Sequence, residues 1–145
     1  MTRRTVKDEE GVHYIVEKQS SESSRVRDPE TGEQRYIPND ELEPVAGESP
    51  LETAASGVPE DVRTLLTAVH DDRTLGLLVE LERTGPLSVR TLLDAYDICE
   101  SDLHGTLAEL QLAGLIDETR VTGERGYETT ETAHNALDTL DVTVS

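Results

Sequence analysis

The strongest constraint on the fold is the stretch SDLHGTLAELQLAGLI, residues 101–116. Within it Leu103, Leu107 and Leu110 are separated by four and three residues, which places them on one face of an α-helix. Gly114 follows, and glycine is typical of a helix C terminus because it adopts the left-handed backbone conformation without strain. We therefore predict a helix that starts at the serine of this stretch, buries its leucine face and ends before Gly114.

Four other segments carry helical signals, three before this stretch and one after it. Their apolar residues have helical spacing, and Asp71 or Asp72, Ser88 and Thr130 are suitable N-terminal caps. The residues after Gly114 predict two strands joined by a flexible tip. The predicted order is helix at 59–69, 72–84, 88–96 and 101–113, strand at 115–121 and 127–129, and helix at 130–140.

The first part of the chain carries strand signals. Residues 12–16, VHYIV, favour a strand, and 25–27 and 33–37 can extend on either side of the turn DPETG at 28–32. These pieces predict a small β-meander, which has too few apolar residues to be stable alone. The segment 43–57 has two prolines, two glycines and two serines, a composition typical of a linker.

The composition is strongly acidic, with 31 Asp and Glu against 13 Lys and Arg and a net charge of −18. There is no Phe and no Trp, and the only lysines are Lys7 and Lys18. Such a composition resembles that of cytoplasmic proteins from salt-loving archaea, which work in molar potassium chloride. In about 1 M salt the Debye length is roughly 3 Å, so the net charge acts only locally. The acidity therefore neither supports nor excludes a nucleic-acid partner.

Several classes of protein are disfavoured by what the chain lacks. No stretch approaches the roughly 20 apolar residues of a membrane span, and no apolar run follows the basic start, so we expect a cytoplasmic protein without a membrane partner. The single cysteine, Cys99, forms no intramolecular disulfide, and we expect it to be a small buried hydrophobe rather than a metal ligand with His104. No catalytic motif is present, so we expect neither an enzyme nor a cofactor.

The run LSVRTLLDAYDICESDLHGTLAELQLAGLIDETRVTGERGYETTETAHNAL is similar to the winged helix-turn-helix transcriptional regulators of bacteria and archaea, in the broad ArsR, MarR and PadR style. Four pieces carry the resemblance: LAEL at 107–110, LAGLI at 112–116, GY at 126–127 and TE at 130–131. In that family they mark the end of the recognition helix, the wing and the cap of the next helix. The N-terminal DPETGE turn resembles uncharacterised proteins of salt-loving archaea, without indicating an activity.

The resemblance implies a mainly α fold with a small β component (α+β). It consists of a winged helix-turn-helix domain at 58–145, preceded by a short β-meander at 1–42 and a linker at 43–57. It also implies double-stranded DNA as the partner and a homodimer, with the helix at 59–69 or the last helix as the contact surface. The N-terminal module would modulate that contact or hold another protein.

The resemblance further implies two sets of DNA-contacting residues, one on the recognition helix and one on or near the wing. The helix set is acidic, without Arg or Lys, which makes the arginine set the better candidate for phosphate contacts. Arg120 and Arg125 alternate with Glu118 and Glu124, so a solvated charge on a hairpin is the alternative interpretation of these two arginines. The helix set is Ser101, Asp102, His104, Gly105, Thr106 and Glu109, and the wing and phosphate set is Arg90, Arg120 and Arg125.

The sequence therefore predicts a DNA-binding transcriptional regulator that reads duplex DNA at high salt without a cofactor. The alternative is an adaptor of the same fold that binds another protein through its acidic helix and does not contact DNA directly.

Overall fold

The computed structural model describes residues 2–142 and divides the chain into two compact units, one up to Pro59 and one from Glu60 onwards. Predicted strands are present in the first unit, and predicted helices and strands are present in the second. The fold-class prediction is nevertheless wrong. The first unit is a β-rich domain with a five-stranded antiparallel sheet, followed by helices, and not a short meander that precedes a winged helix-turn-helix domain. Two of its strands were missed because they are short and polar.

The first unit consists of one sheet, a 3-10 turn and a short helix. The elements are β1 (Arg4–Lys7), β2 (His13–Gln19), β3 (Ser23–Arg27), β4 (Gln34–Pro38), a 3-10 helix (Asn39–Glu41), β5 (Glu43–Pro44) and α1 (Pro50–Ala55). The sheet order is β4-β3-β2-β1-β5, so the two missed strands, β1 and β5, pair with each other at one side. The segment for which a linker was predicted contains β5 and α1.

One face of this sheet forms a small core. Val6 is paired with Tyr14 and Val16 with Val26, and all four side chains are buried. The other face receives α1, where the hydroxyl groups of Thr5 and Thr53 are 2.5 Å apart. The α1 helix therefore supplies the packing partner that a small sheet with few apolar residues requires.

The second unit has five helices and a three-stranded sheet among its described residues. The elements are α2 (Glu60–Ala68), α3 (Asp72–Thr84), β6 (Leu87–Ser88), α4 (Val89–Ala95), α5 (Glu100–Leu112), β7 (Ile116–Val121), β8 (Glu124–Thr129) and α6 (Glu131–Thr139). The core is formed by leucines from α3, α4 and α5, against which residues of β7, β8 and α6 pack. The sheet order is β6-β8-β7.

The helix predicted from the leucine spacing is present as α5. Leu103, Leu107 and Leu110 are 0–1 % exposed, and Gly114 has a φ of 79°, as its role at the helix end requires. Its start differs from the prediction, because Cys99 rather than Ser101 occupies the N-cap position and provides no side-chain cap. Within residues 2–142, no helix combines the length and the apolar character needed to cross a membrane.

Candidate nucleic-acid interface

The polar side of α5 lies along a groove next to the start of α3. The groove has a volume of about 340 Å³, and three carboxylates line it, from Asp71, Asp102 and Glu109. Arg73 is the one cation among the described residues of its lining. Five of the six predicted recognition-helix residues line this groove: Ser101, Asp102, Gly105, Thr106 and Glu109.

The acidity of the groove is reinforced by the cap of α3. Asp71 accepts a hydrogen bond from the backbone N–H of Thr74 at 2.8 Å, and this bond holds the pKa of Asp71 below its usual value. Asp71 therefore stays charged at neutral pH. Arg73 offsets only part of the negative charge, and its Nη2 atom donates to the carbonyl oxygen of Asp97 at 3.4 Å.

His104, the sixth predicted helix residue, does not line the groove. Its Nε2 atom lies 3.6 Å from Oε1 of Glu100, one helical turn earlier. This local pair is typical of residues four apart on a helix surface. The structure therefore separates His104 from the other five residues.

Arg120 and Arg125 lie directly opposite each other in the β7–β8 hairpin, so their side chains start from the same face. Arg120 donates from Nη1 to the carbonyl oxygen of Gly123, which stiffens the tip of the hairpin. Both arginine side chains are exposed to solvent. The hairpin thus carries two exposed arginines at paired positions immediately after α5 in the chain.

Two neighbours hold Arg125 in place. Its Nη2 atom donates to the hydroxyl group of Tyr127 at 2.7 Å, and the guanidinium carbon lies 5.6 Å from the centre of that ring. Glu118 adds an ion pair, with 3.4 Å between Arg125 Nε and Glu118 Oε1. The hydrogen bond to Tyr127, more than the charge of Glu118, raises the pKa of Arg125.

Arg90 joins α4 to the same hairpin. Its Nε atom lies 3.3 Å from Oε1 of Glu124, and its side chain is 77 % exposed. All three arginines predicted to contact phosphate are therefore on or beside the β7–β8 hairpin. Each of them already interacts with an oxygen atom of the chain itself.

Sequence reasoning missed the residues that surround these groups. Arg73 was overlooked because it lies on α3, far from α5 in sequence. Tyr127 was overlooked because it was interpreted only as part of a family motif. The alternation of side chains along the two strands does indicate which residues share a face of the hairpin. Glu118 is paired with Tyr127, and Arg120 is paired with Arg125.

Two further features of α5 bear on its surface. Cys99 is exposed, which contradicts its expected burial, because it precedes the first turn of the helix instead of filling the turn. Leu112, at the other end of α5, is 90 % exposed. No group of three or more potential metal ligands is found within residues 2–142.

Comparison with known proteins places the chain in a family without indicating an activity. No curated protein and no solved structure matches it. The pattern of a family of unknown function, DUF7346, matches residues 3–141 and therefore spans nearly the whole sequence. The chain belongs to the DUF7346 family.

Proposed function

We propose that this protein is a transcriptional regulator that binds duplex DNA through α5 and the β7–β8 hairpin. The observation that carries the proposal is the cross-strand pair of exposed guanidinium groups, Arg120 and Arg125, on the hairpin that follows α5. Arginine pairs of this kind suit the phosphates on either side of a groove. Arg90 adds a third guanidinium beside the hairpin.

The existing ion pairs of these arginines do not prevent phosphate binding. Arg125 with Glu118 and Arg90 with Glu124 are solvent-exposed pairs. Such pairs contribute about 0–1 kcal/mol to stability, so a phosphate can replace a glutamate at little cost. Tyr127 remains in contact with Arg125 during this exchange and holds its side chain in place.

The acidic groove and the negative charge of the second unit determine the salt concentration at which we expect binding. Asp102 and Glu109 repel phosphate, but each can accept a hydrogen bond from the amino group of cytosine. The chain after residue 57 contains 6 basic and 18 acidic residues, so long-range repulsion opposes DNA binding at low salt. In about 1 M salt the Debye length of roughly 3 Å removes this repulsion and leaves the local contacts. We therefore expect specific binding at high ionic strength.

The test is a selection from random-sequence duplexes in about 1 M potassium chloride, where only local contacts persist. The wild type should enrich a defined sequence, and Arg120→Gln with Arg125→Gln should lose most of the retained DNA. The salt dependence of the double variant should be shallower by about 1.8, at roughly 0.9 for each phosphate contact. Arg4→Gln with Arg35→Gln, which removes the same charge from the first unit, is the control and should bind like the wild type.

Two results would overturn the proposal. One is the absence of any enriched duplex with the wild-type protein. The other is equal retention of DNA by the wild type and the hairpin variant, which would exclude the hairpin from the interface.

We extend the proposal to a homodimer that forms through α2. Leu66 is 60 % and Leu75 36 % exposed, and with Val69 they line a shallow groove at the junction of α2 and α3. Contiguous exposed leucines are typical of contact surfaces. A twofold-symmetric contact at this surface would present two hairpins to two DNA half-sites.

A protein-interaction adaptor is the second candidate, and Leu112 is the observation that favours it. This leucine is 90 % exposed at the end of a helix whose polar side is acidic. An exposed leucine beside carboxylates suits a basic, partly apolar protein surface better than it suits DNA. Failure of the duplex selection, combined with saturable binding of a protein partner that Leu112→Glu abolishes, would favour this function.

A further inference from the structure

Three arginines of the first unit surround one buried carboxylate. Glu17, on β2, has a side chain that is 7 % exposed, and its oxygens lie 3.4 Å from Arg3 Nη1, 3.9 Å from Arg25 Nε and 3.7 Å from Arg27 Nη1. The three arginine side chains are themselves 37–55 % exposed. The guanidinium groups thus lie at the surface, and the carboxylate lies beneath them.

A register shift in the sheet creates this arrangement. The pairing of β2 with β3 is interrupted between Val16 and Lys18, so Glu17 is an extra residue in its strand. Gln34, on β4, donates from Nε2 to Oε1 of Glu17 at 2.7 Å and fixes that oxygen from the other side. The carboxylate is therefore held in place and in turn orients the arginines.

The cluster is positively charged within a strongly acidic protein. Three guanidinium groups face one carboxylate, whereas the whole chain carries a net charge of −18. The Nε atom of Arg25 is buried and has no hydrogen-bond partner among the described residues. Since Glu17 neutralises only one of the three charges, the cluster retains an attraction for anions.

An exposed aromatic ring lies beside the arginines. Tyr36, on β4, is 64 % exposed and is paired directly with Arg25 on β3. Residues paired across two strands point to the same face, with their Cβ atoms about 4.5–5.5 Å apart. Arg27 is paired in the same way with Gln34, so the part of this face that α1 leaves exposed presents an aromatic ring and several cations together.

We propose that the exposed part of this face of the N-terminal sheet, formed by Arg3, Arg25, Arg27 and Tyr36, binds single-stranded nucleic acid. The guanidinium groups suit phosphodiesters, and the ring of Tyr36 offers a platform on which one unpaired base can stack. A duplex leaves no base face free for such stacking, and an acidic peptide would use the cations without the ring. These residues belong to the first unit and the hairpin proposed to contact duplex DNA belongs to the second, so each binding activity is tested by its own variants.

The test measures fluorescence anisotropy of labelled oligothymidylate and oligouridylate of about 12 nucleotides, a length within the range of single-strand binding sites. The full-length chain is used in about 1 M potassium chloride, where the Debye length of roughly 3 Å removes the long-range repulsion between the acidic chain and the oligonucleotide. Binding of both oligonucleotides indicates recognition of the phosphodiester and base, and preference for oligouridylate indicates an additional contact with the 2′-hydroxyl. Either result supports the proposal.

The variants separate stacking from charge. Tyr36→Ala should weaken binding about 5- to 150-fold, as expected for the loss of one stacked base, whereas Tyr36→Phe should retain it. Arg25→Gln with Arg27→Gln should make the salt dependence shallower by about 1.4, at roughly 0.7 for each phosphate contact on a single strand. Because Tyr36 is exposed, its replacement tests the site without disturbing the core.

Two charge-matched controls locate the effect. Arg4 and Arg35 are paired with the core residues Val16 and Val26, so they start from the opposite face of the sheet. Arg4→Gln with Arg35→Gln should bind like the wild type, and so should Arg120→Gln with Arg125→Gln. Any loss of affinity in a control double variant measures the general effect of removing two positive charges from the chain.

The proposal is overturned if neither oligonucleotide binds, or if a control double variant loses as much affinity as Arg25→Gln with Arg27→Gln. It is also overturned if polyglutamate competes as well as an oligonucleotide, since a site for acidic peptides would then be the better description. Circular dichroism melting of every variant confirms that a loss of binding is measured on folded protein.

Discussion

The Nδ1 atom of His134 lies 2.6 Å from Oε2 of Glu82 and joins α6 to α3. The other oxygen of Glu82 accepts a hydrogen bond from the hydroxyl group of Thr129 at 2.8 Å, at the end of the β7–β8 hairpin. The Glu82 side chain is only 7 % exposed. One carboxylate therefore connects two helices with the end of the hairpin proposed to contact DNA.

The first prediction is that His134→Ala destabilises the protein more at acidic than at alkaline pH. The hydrogen bond to Glu82, followed by the charge of Glu82, raises the pKa of His134 above its usual 6.5. Such a group stabilises the fold fully below its unfolded-state pKa, and the effect disappears as the pH rises through the folded-state pKa. Urea midpoints of the wild type and His134→Ala should therefore differ more at about pH 5.5 than at about pH 9. The same difference at both pH values would exclude a charged His134.

The second prediction concerns Gly126, on β8. A Cβ atom at this position would lie 2.6 Å from the carbonyl oxygen of Leu87 and 2.8 Å from Cγ2 of Val121. Because the closer atom belongs to the backbone of β6, Gly126→Ala must separate β6 from β8, and we expect a loss of about 1–3 kcal/mol in the free energy of unfolding. Denaturant titration measures this loss.

Gly76→Ala is the matched control for that substitution. Gly76 lies within α3, and a Cβ atom there would meet nothing within 4 Å. Alanine is favoured over glycine in a helix interior by about 1 kcal/mol, so this variant should be more stable than the wild type. If Gly126→Ala proved as harmless as Gly76→Ala, the close contact between β6 and β8 would be refuted.

Short-range signals predicted much of the second unit. The leucine spacing located α5, and Asp71, Ser88 and Thr130 each cap a helix through a side-chain oxygen. These features depend on residues within one or two turns of each other, so the sequence displays them directly. Ser101 failed as a cap because the helix starts at Glu100, and the choice between neighbouring start residues depends on tertiary context.

The first unit could not be predicted in the same way because its structure depends on distant pairings. β1 pairs with β5, in which Val6 is opposite Pro44, and neither strand has an alternating apolar pattern. The positive cluster around Glu17 depends on the register shift beside it, which no local pattern shows. The capping box of α1, formed by Ser49 and Glu52, is a local pattern that predicts a helix start. It was overlooked because the prolines, glycines and serines around it favour a linker.

The third prediction tests how α1 is attached to the sheet. Thr53 is 0 % exposed, and its hydroxyl lies 2.5 Å from the hydroxyl of Thr5 and donates to Oε2 of Glu48 at 2.5 Å. Thr53→Val leaves the buried Thr5 hydroxyl without this partner, and we expect a loss of about 1–3 kcal/mol in unfolding free energy. Thr53→Ser retains the hydroxyl and should lose less.

The double variant Thr5→Val with Thr53→Val isolates the interaction between the two hydroxyl groups. Since both partners are then removed, its loss should be smaller than the sum of the single losses by about 0.5–3 kcal/mol. Denaturant midpoints of the four proteins give this coupling energy. Strict additivity would mean that the two hydroxyl groups do not stabilise each other.

The last prediction addresses the proposed homodimer. One chain has a mass of 15.9 kDa, so the wild type should sediment at twice this mass if α2 forms the contact. Because Leu66 is 60 % exposed, its burial contributes about 1–2 kcal/mol per copy, and a symmetric dimer buries two copies, so Leu66→Glu should weaken association by roughly 30-fold or more. Leu112→Glu introduces the same charge at a leucine that is 90 % exposed on α5 and should leave the dimer intact. A wild type that stays monomeric at high concentration, or equal dissociation of the two variants, would exclude α2 as the contact surface.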